Sequence, residues 1–141
     1  MYTFRLPPNQ IPSEEIAFLL QVALWHVPAA SKGSFIVSSP YVPAVLANDH
    51  IVQTRLVGLL PSQQLVAHTD PPISGIRHHL PLQSNPGCWV FHDGVWQQLE
   101  VGRMYTMDPT KPHGAVNWGT ELRLHLMIDV LPTRGTGGPC S

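Results

Sequence analysis

Two histidines and an aspartate in the central part of the chain are of the types that bind a metal ion. His68 and Asp70 are separated by one residue, and His113 follows further along. Because alternate residues of a β-strand point to the same face, His68 and Asp70 would lie side by side in an extended segment. Two imidazoles and a carboxylate that meet in a cavity, with other coordination positions open, form the facial triad of non-haem Fe(II) oxygenases. His-x-Asp alone is a weak motif, so other residues of the chain must support a metal site.

One arginine, Arg123, could bind an anion near such a metal, and Arg77 and His79 would share a strand face. Arg77 and His79 are two residues apart, and Arg123 follows His113 by ten residues. A guanidinium group can hold a carboxylate through two parallel hydrogen bonds, which the point charge of a lysine cannot do. Arg123 is therefore a candidate clamp for a carboxylate ligand deeper in the same cavity.

The composition limits the class of protein. The chain has 141 residues, of which 12% are charged, and a formal net charge of −1 at pH 7. This length suits one domain with a buried core, and no basic run suggests a nucleic-acid partner. No apolar stretch reaches the length of a membrane span, and we expect no signal peptide, because the opening residues lack an apolar segment. We expect one domain over residues 1–132 in a soluble, cytoplasmic protein, without a nucleic-acid or membrane partner.

The two cysteines are too few for a disulfide framework or a structural zinc site. Cys88 begins a predicted strand, so we expect it to be a small buried hydrophobic residue. Cys140 lies in residues 133–141, which are rich in Gly, Thr and Pro. We expect these residues to form a flexible C-terminal tail.

One amphipathic helix is predicted near the start of the chain. Ser13 is a suitable N-cap, and Glu14 and Glu15 would lie in the first turn, where carboxylates suit the positive end of the helix dipole. Apolar residues then recur at helical spacing to about His26, before Pro28 ends the helix. An amphipathic helix needs a surface to cover, and we expect it to pack on the outer face of a sheet.

The rest of the pattern is mainly β, with short strands separated by proline- and glycine-rich turns. Asp93-Gly94 between two apolar runs predicts a type I′ hairpin turn. The number and spacing of the strands are typical of a jelly roll. The predicted strands are Tyr2–Leu6, Ser34–Ser38, Ile51–Leu60, Gln64–His68, Ile76–Leu82, Trp89–His92, Val95–Leu99, Met104–Met107, His113–Trp118 and Leu122–Val130.

These features together resemble the aspartyl/asparaginyl β-hydroxylase family of 2-oxoglutarate-dependent dioxygenases. The resemblance runs from His68 to Leu131 and fades upstream of Leu56. Some members of the family lack the carboxylate ligand, whereas Asp70 is present here. The matching residues, in chain order, are His68, Arg77, His79, Asp108, His113, Asn117, Arg123, Asp129 and Val130.

The resemblance implies a double-stranded β-helix, a cupin-like jelly roll, in which His68, Asp70 and His113 bind Fe(II). It also implies that Arg77, His79 and Arg123 bind the carboxylates of the cosubstrate 2-oxoglutarate, with Arg123 at the far carboxylate. The expected activity is O₂-dependent hydroxylation of an unactivated C–H bond. The expected substrate is an amino acid, a short peptide or another small molecule.

The resemblance also bears on the last predicted strand. Its even positions are all aliphatic, from Leu122 to Val130, whereas its odd positions include Arg123, His125 and Asp129. Alternation alone is typical of a strand with one face in water. With the family resemblance, we expect instead a strand buried on both sides, with the aliphatic face under the helix and the odd face lining a polar cavity.

Four further polar residues near the candidate site are not assigned to the metal or to 2-oxoglutarate. Asn117 shares a strand face with His113 and is a candidate for a position behind a metal ligand or facing the substrate. Asp108 precedes a proline and is expected to cap a turn. His78 points away from Arg77 and His79, and His92 is at a hairpin end, so both are expected on the surface.

Two other functions fit the same metal-binding residues. A cupin-type metalloenzyme that does not use 2-oxoglutarate could hold its ion with the same ligands. A non-catalytic jelly-roll binding module could keep them as a structural metal site. A buried carboxylate clamp has no role in the cupin account, so Arg123 argues for the dioxygenase over that alternative.

Overall fold

The computed structural model describes residues 3–4, 10–27, 34–39, 41–73 and 75–131. Within them, each strand predicted after residue 32 is present, with ends that differ by at most two residues. The elements are β1 (Thr3–Phe4), α1 (Ser13–Trp25), β2 (Ser34–Ser38), a short 3₁₀ helix (Ala44–Leu46), β3 (His50–Leu59), β4 (Gln63–His68), β5 (Ile76–Gln83), β6 (Cys88–His92), β7 (Val95–Gln97), β8 (Tyr105–Met107), β9 (His113–Asn117) and β10 (Arg123–Leu131).

The strands form two antiparallel sheets. One has six strands in the order β1-β8-β5-β10-β3-β2, and the other has four in the order β4-β9-β6-β7. Apolar side chains from both sheets pack between them, including Leu59, Val90, Tyr105 and Ala115. The predicted double-stranded β-helix with one N-terminal helix is therefore confirmed.

Helix α1 covers the outer face of the six-stranded sheet, as predicted. Its buried residues Ile16, Leu19 and Ala23 join one apolar cluster with Leu80 of β5 and Leu126 of β10. Each large aliphatic side chain removed from water contributes about 1.5–3 kcal/mol, so burial of this layer stabilises the sheet.

The ends of α1 differ from the prediction at one point. The N-cap is Pro12 rather than Ser13, and its side chain makes no capping hydrogen bond. The carbonyl of Pro12 instead accepts the first helical bond from the Ile16 amide, at 3.0 Å. At the other end, the His26 ring donates from Nδ1 to the Val22 carbonyl at 2.9 Å, which satisfies a group that the helix end leaves exposed.

The hairpin between β6 and β7 turns at Asp93 and Gly94. Both have positive φ angles, 50° and 88°, as a type I′ turn requires. The predicted turn is confirmed. Asp93 also donates its amide to the Pro112 carbonyl at 2.8 Å, which ties the hairpin to the loop before β9.

Two histidines predicted on the surface are buried. His78 of β5 is 3% exposed and lies on the same outer sheet face as Leu80, which belongs to the apolar cluster beneath α1. His92 is also 3% exposed, because the loop before β9 folds over the hairpin end and brings the Asp108 carbonyl 2.9 Å from His92 Nε2. The surface prediction was wrong for both, since burial depends on how distant parts of the chain pack and not on the local pattern.

The remaining expectations have mixed outcomes. Cys88 is 5% exposed, which confirms the buried cysteine. Cys140 and residues 133–141, the predicted tail, lie outside the described residues. Among the described helices, none is long and apolar enough to cross a membrane.

Candidate metal centre and its cavity

A cavity of about 450 Å³ lies between the two sheets, at the end where β4 finishes and β9 begins. Much of its wall is apolar, from residues such as Val57, Leu65 and Met127. The polar or charged residues that line it are Gln53, Arg55, His68, Asp70, Arg77, His79, His113 and Arg123. All six residues predicted to bind the metal or 2-oxoglutarate are in this set.

His68, Asp70 and His113 converge in this cavity. One ligand atom from each lies within 4.8 Å of the others, which makes the three a group able to hold a metal ion. Asp70 Oδ2 is 3.2 Å from His113 Nε2, and Asp70 Oδ1 is 3.7 Å from His68 Nε2. Ligands at right angles, each about 2.1 Å from an ion, are about 3 Å apart, so these spacings suit three neighbouring coordination positions.

The strands bring these ligands together by direct pairing. His68 is the last residue of β4 and lies opposite His113, the first residue of β9. Gly114 allows the close approach of the two strands, because a Cβ atom there would lie 2.6 Å from the Leu65 carbonyl oxygen. Asp70 follows β4 and is held by its amide, which donates to the Pro109 carbonyl at 2.8 Å.

Backbone carbonyls fix which nitrogen of each imidazole faces the cavity. Nδ1 of His68 lies 2.8 Å from the Val66 carbonyl, and Nδ1 of His113 lies 2.8 Å from the Lys111 carbonyl. A carbonyl only accepts hydrogen bonds, so both Nδ1 atoms donate. In the neutral rings the lone pair is then on Nε2, the atom that faces Asp70, as a metal ligand requires.

Arg77 connects this group to the far end of β10. Its Nε and Nη2 atoms donate to the two carboxylate oxygens of Asp129 at 2.8 and 3.0 Å, and its Nη1 lies 3.7 Å from Asp70 Oδ2. Burial alone would raise the pKa of Asp129, but the bonds from Arg77 and Gln53 outweigh it and hold that pKa below its ordinary value. Arg77 is thus fixed by Asp129 beside the candidate metal ligand.

His79 contacts another buried imidazole, His125 of β10. Their Nδ1 atoms are 3.3 Å apart, so one ring donates to the other. Burial, followed by the nearby Arg123 cation, lowers the pKa of both rings well below the usual range. Both imidazoles are therefore neutral at physiological pH.

Arg123 lies deeper in the cavity than the metal-ligand group. It is 4% exposed and begins β10 opposite Leu59, whereas Asp129 and its partner Arg77 are near the other end of that strand. A charge this deeply buried suits an anionic ligand that shares the cavity.

Asn117 and Asp108 have structural partners. Asn117 is fully buried and donates from Nδ2 to the carbonyls of Leu59 and Glu121, both at 2.9 Å. These bonds join β9 to β3 and to the loop before β10, and they do not involve the metal-ligand group. Asp108 accepts from the amide and hydroxyl of Thr110 at 2.9 and 2.7 Å, as expected for a turn cap.

Three residues in or beside the cavity were given no individual binding role from the sequence. Gln53 and Arg55 alternate on β3 and both line the cavity, and His125 lies behind His79. The alternation of β10 does place His125 on the same face as Arg123. The pattern of β3 does not separate its inner residues from its outer ones, because polar residues occur on both faces.

Comparison with known proteins gives a family and a fold. The family model described as aspartyl/asparaginyl beta-hydroxylase matches residues 32–132, which extends well upstream of Leu56, where the resemblance seen in the sequence fades.

Solved structures with the same fold include an uncharacterised double-stranded β-helix protein from Klebsiella pneumoniae. It is 18% identical with a TM-score of 0.55, and the match covers 79% of this chain and 83% of that one. A Thermus thermophilus protein is 15% identical with a TM-score of 0.54, over 77% and 95% of the two chains. A cupin domain from Bordetella pertussis is 16% identical with a TM-score of 0.51, over 74% and 100%.

Proposed function

Because the chain belongs to the aspartyl/asparaginyl β-hydroxylase family, we propose that it is an Fe(II)- and 2-oxoglutarate-dependent dioxygenase that hydroxylates a C–H bond of a small substrate. The observation that carries this proposal is the pair of histidine Nε2 atoms facing one carboxylate, with Nδ1 of each ring bonded to a backbone carbonyl. Two imidazoles and one carboxylate, with positions left open, suit Fe(II) in oxygenases of this type.

The residues of this chain would then bind and orient the reactants. His68, Asp70 and His113 would hold the ion, and Arg77 would keep Asp70 in place through its own attachment to Asp129. When bound, Fe(II) with 2-oxoglutarate and O₂ supplies the oxidising chemistry that adds a hydroxyl group to the substrate. The apolar wall would exclude water from the reacting groups.

Arg123 would hold the far carboxylate of 2-oxoglutarate. It is buried in the wall of the same cavity as the metal-ligand group, where a charge-assisted pair with a carboxylate is strong. His79 and Arg77 would contact the cosubstrate as well. The neutral state of His79 permits it to donate a hydrogen bond to a carboxylate without adding a third buried cation beside Arg77 and Arg123.

The size of the cavity supports a small substrate. About 450 Å³ is near the lower end of the range for small-molecule sites, and 2-oxoglutarate would take part of it. We propose that the remaining space holds a free amino acid, one side chain of a short peptide, or a molecule of similar size.

Anaerobic titration tests this function. Fe(II) followed by 2-oxoglutarate should produce a metal-to-ligand charge-transfer band in the visible range. Tight Fe(II) binding with no such band would instead favour a cupin-type metalloprotein that does not use 2-oxoglutarate. After O₂ is admitted, free amino acids and short peptides are screened for succinate formation and for a product whose mass has increased by one oxygen atom.

A further inference from the structure

We infer that Arg55 binds an anionic group of the substrate, so that the molecule hydroxylated carries a carboxylate or a comparable single negative charge. The inference deepens the proposed function and rests on it. Its basis is a guanidinium group in the cavity wall for which the described residues supply only part of the required partners.

Arg55 is placed at the more open part of the cavity. It lies on β3 two residues after Gln53, and both side chains line the cavity. The Arg55 side chain is 25% exposed, whereas Arg123 is among the buried residues. Arg55 is thus reached from solvent more easily than the deep arginine that we assign to the cosubstrate.

The hydrogen-bonding capacity of Arg55 is not satisfied by the described part of the chain. Its Nε atom is buried and has no hydrogen-bond partner there. Its ion pair with Asp129 is long, at 3.9 Å from Nη2 to Oδ2. Buried donors normally have partners, so this guanidinium is suited to a ligand that brings acceptors.

Asp129 already accepts hydrogen bonds from two other residues. Both of its oxygens accept from Arg77, at 2.8 and 3.0 Å, and Oδ2 also accepts from Gln53 at 3.2 Å. Its single negative charge is therefore matched by Arg77. Burial, followed by the neighbouring Arg77 cation, lowers the pKa of Arg55, and the attraction of Asp129 and Asp70 does not offset this.

The charges of the protein, the metal ion and the cosubstrate around the cavity would leave one positive charge without a counter-ion. Among the residues that the structure describes, three guanidinium groups around the cavity, from Arg55, Arg77 and Arg123, stand against two carboxylates, from Asp70 and Asp129. Fe(II) and dianionic 2-oxoglutarate cancel each other, so one positive charge remains when both are bound. In a cavity of low dielectric constant, a substrate with one negative charge would neutralise it.

The first part of the test separates the substrate site from the cosubstrate site. The Fe(II) and 2-oxoglutarate titration is repeated with Arg55→Gln, and its 2-oxoglutarate affinity should stay within about twofold of the parent's. A large loss would place Arg55 in the cosubstrate site, which would overturn the inference while supporting the proposed function. Absence of the charge-transfer band from the parent itself would count against the function instead.

The second part measures anion binding directly, with isobutyrate and its neutral isostere isobutyramide as probes. Mn(II) replaces Fe(II), 2-oxoglutarate is present, and relaxation of the probe methyl protons by the paramagnetic ion reports binding beside the metal. The parent should bind isobutyrate about tenfold more tightly than isobutyramide, and Arg55→Gln should lose this preference. This readout does not depend on turnover.

Two further variants make the result specific. Arg103→Gln removes a guanidinium that pairs with Glu100 away from the cavity, so it should keep the parent's preference. Arg55→Lys keeps the charge without the fork and should give an intermediate preference, and it also serves if the Gln variant fails to fold. If Arg55→Gln or Arg55→Lys distinguishes the probes as well as the parent, or if the parent does not distinguish them, Arg55 does not bind the substrate anion.

Discussion

The two faces of β10 are buried to the same degree and have opposite chemistry. On the outer face, Leu124 and Ile128 are fully buried and pack in the cluster beneath α1. On the inner face, His125 is 2% exposed and Asp129 is 5% exposed. One strand therefore supplies both the centre of the apolar core and part of a polar cavity.

The difference shows how buried polar residues can persist beside a core. Two polar groups of the inner face have specific partners within the protein: Asp129 has Arg77, and His125 has His79. Pairing offsets the cost of removing these groups from water, whereas the outer face needs only close packing. We therefore expect stability and ligand binding to respond separately to substitutions on the two sides of the sheet.

The largest expected effect is on the cavity side, at a metal ligand. His113→Ala removes one of three proposed ligands, and we expect Fe(II) affinity to fall about a thousandfold or more, with hydroxylation reduced to background. Loss of a group that merely supports a ligand costs up to about a hundredfold, and loss of the ligand itself should cost more. Calorimetric Fe(II) titration measures the change.

The melting temperature of metal-free His113→Ala should stay close to the parent's, because the β-core does not require the ion. His26→Ala, at the exposed end of α1, is the matched control and should bind Fe(II) as the parent does. Equal Fe(II) affinity in the parent and His113→Ala would show that the ligand assignment is wrong.

The next largest effect is expected at the deep end of the cavity. Arg123→Ala would leave the far carboxylate of 2-oxoglutarate unpaired, at a cost of roughly 3–5 kcal/mol, or a hundredfold or greater rise in the 2-oxoglutarate requirement. Arg123→Lys should recover only part of this, because it lacks the fork. Titration of the charge-transfer band with 2-oxoglutarate gives the affinity.

Fe(II) affinity without 2-oxoglutarate should barely change in Arg123→Ala, since Arg123 is not a proposed ligand. If 2-oxoglutarate affinity is also unchanged, the clamp lies elsewhere and Arg77 is the next candidate. If the corresponding Arg77 variant is unaffected too, the cupin-type account becomes the better one.

The sequence predicted only part of the contrast between the two faces of β10. Alternation of aliphatic and polar residues predicted the strand and its two faces, because side-chain direction has a period of two. It did not indicate whether the polar face meets water, since this depends on a second sheet from distant parts of the chain. The family resemblance supplied that step.

The residue pairs inside the cavity could not be predicted from the sequence, for the same reason. Arg77 and Asp129 are 52 residues apart and meet because β5 and β10 are neighbours in a particular register. The burial of His78 and His92 likewise depends on segments that fold over them. Local patterns predict elements and faces, whereas partners depend on how the elements are arranged.

A smaller effect, on stability alone, is expected from the outer face. Leu126→Ala leaves a cavity beneath α1 and should lower the free energy of unfolding by about 2–5 kcal/mol. Urea unfolding measures this loss. The 2-oxoglutarate affinity of the folded variant should match the parent's, and a tenfold or larger loss of that affinity would show that the two faces of β10 are not independent.

The smallest expected effect is a pH dependence of stability that comes from the inner face. His79 and His125 have pKa values well below the usual range, first because they are buried and next because of Arg123. Below the ordinary histidine pKa of about 6.5, the unfolded chain therefore binds protons that the folded protein does not. Stability from these two groups is complete above that pH and is lost as the pH falls, by up to about 1.4 kcal/mol per pH unit for each histidine.

Urea unfolding of metal-free protein between about pH 6.5 and pH 5 should show this slope, and His125→Phe should reduce it by about half. An unchanged slope in His125→Phe would mean that the His79–His125 pair does not remain neutral in the folded protein. Water would then reach the polar face of β10 despite its burial.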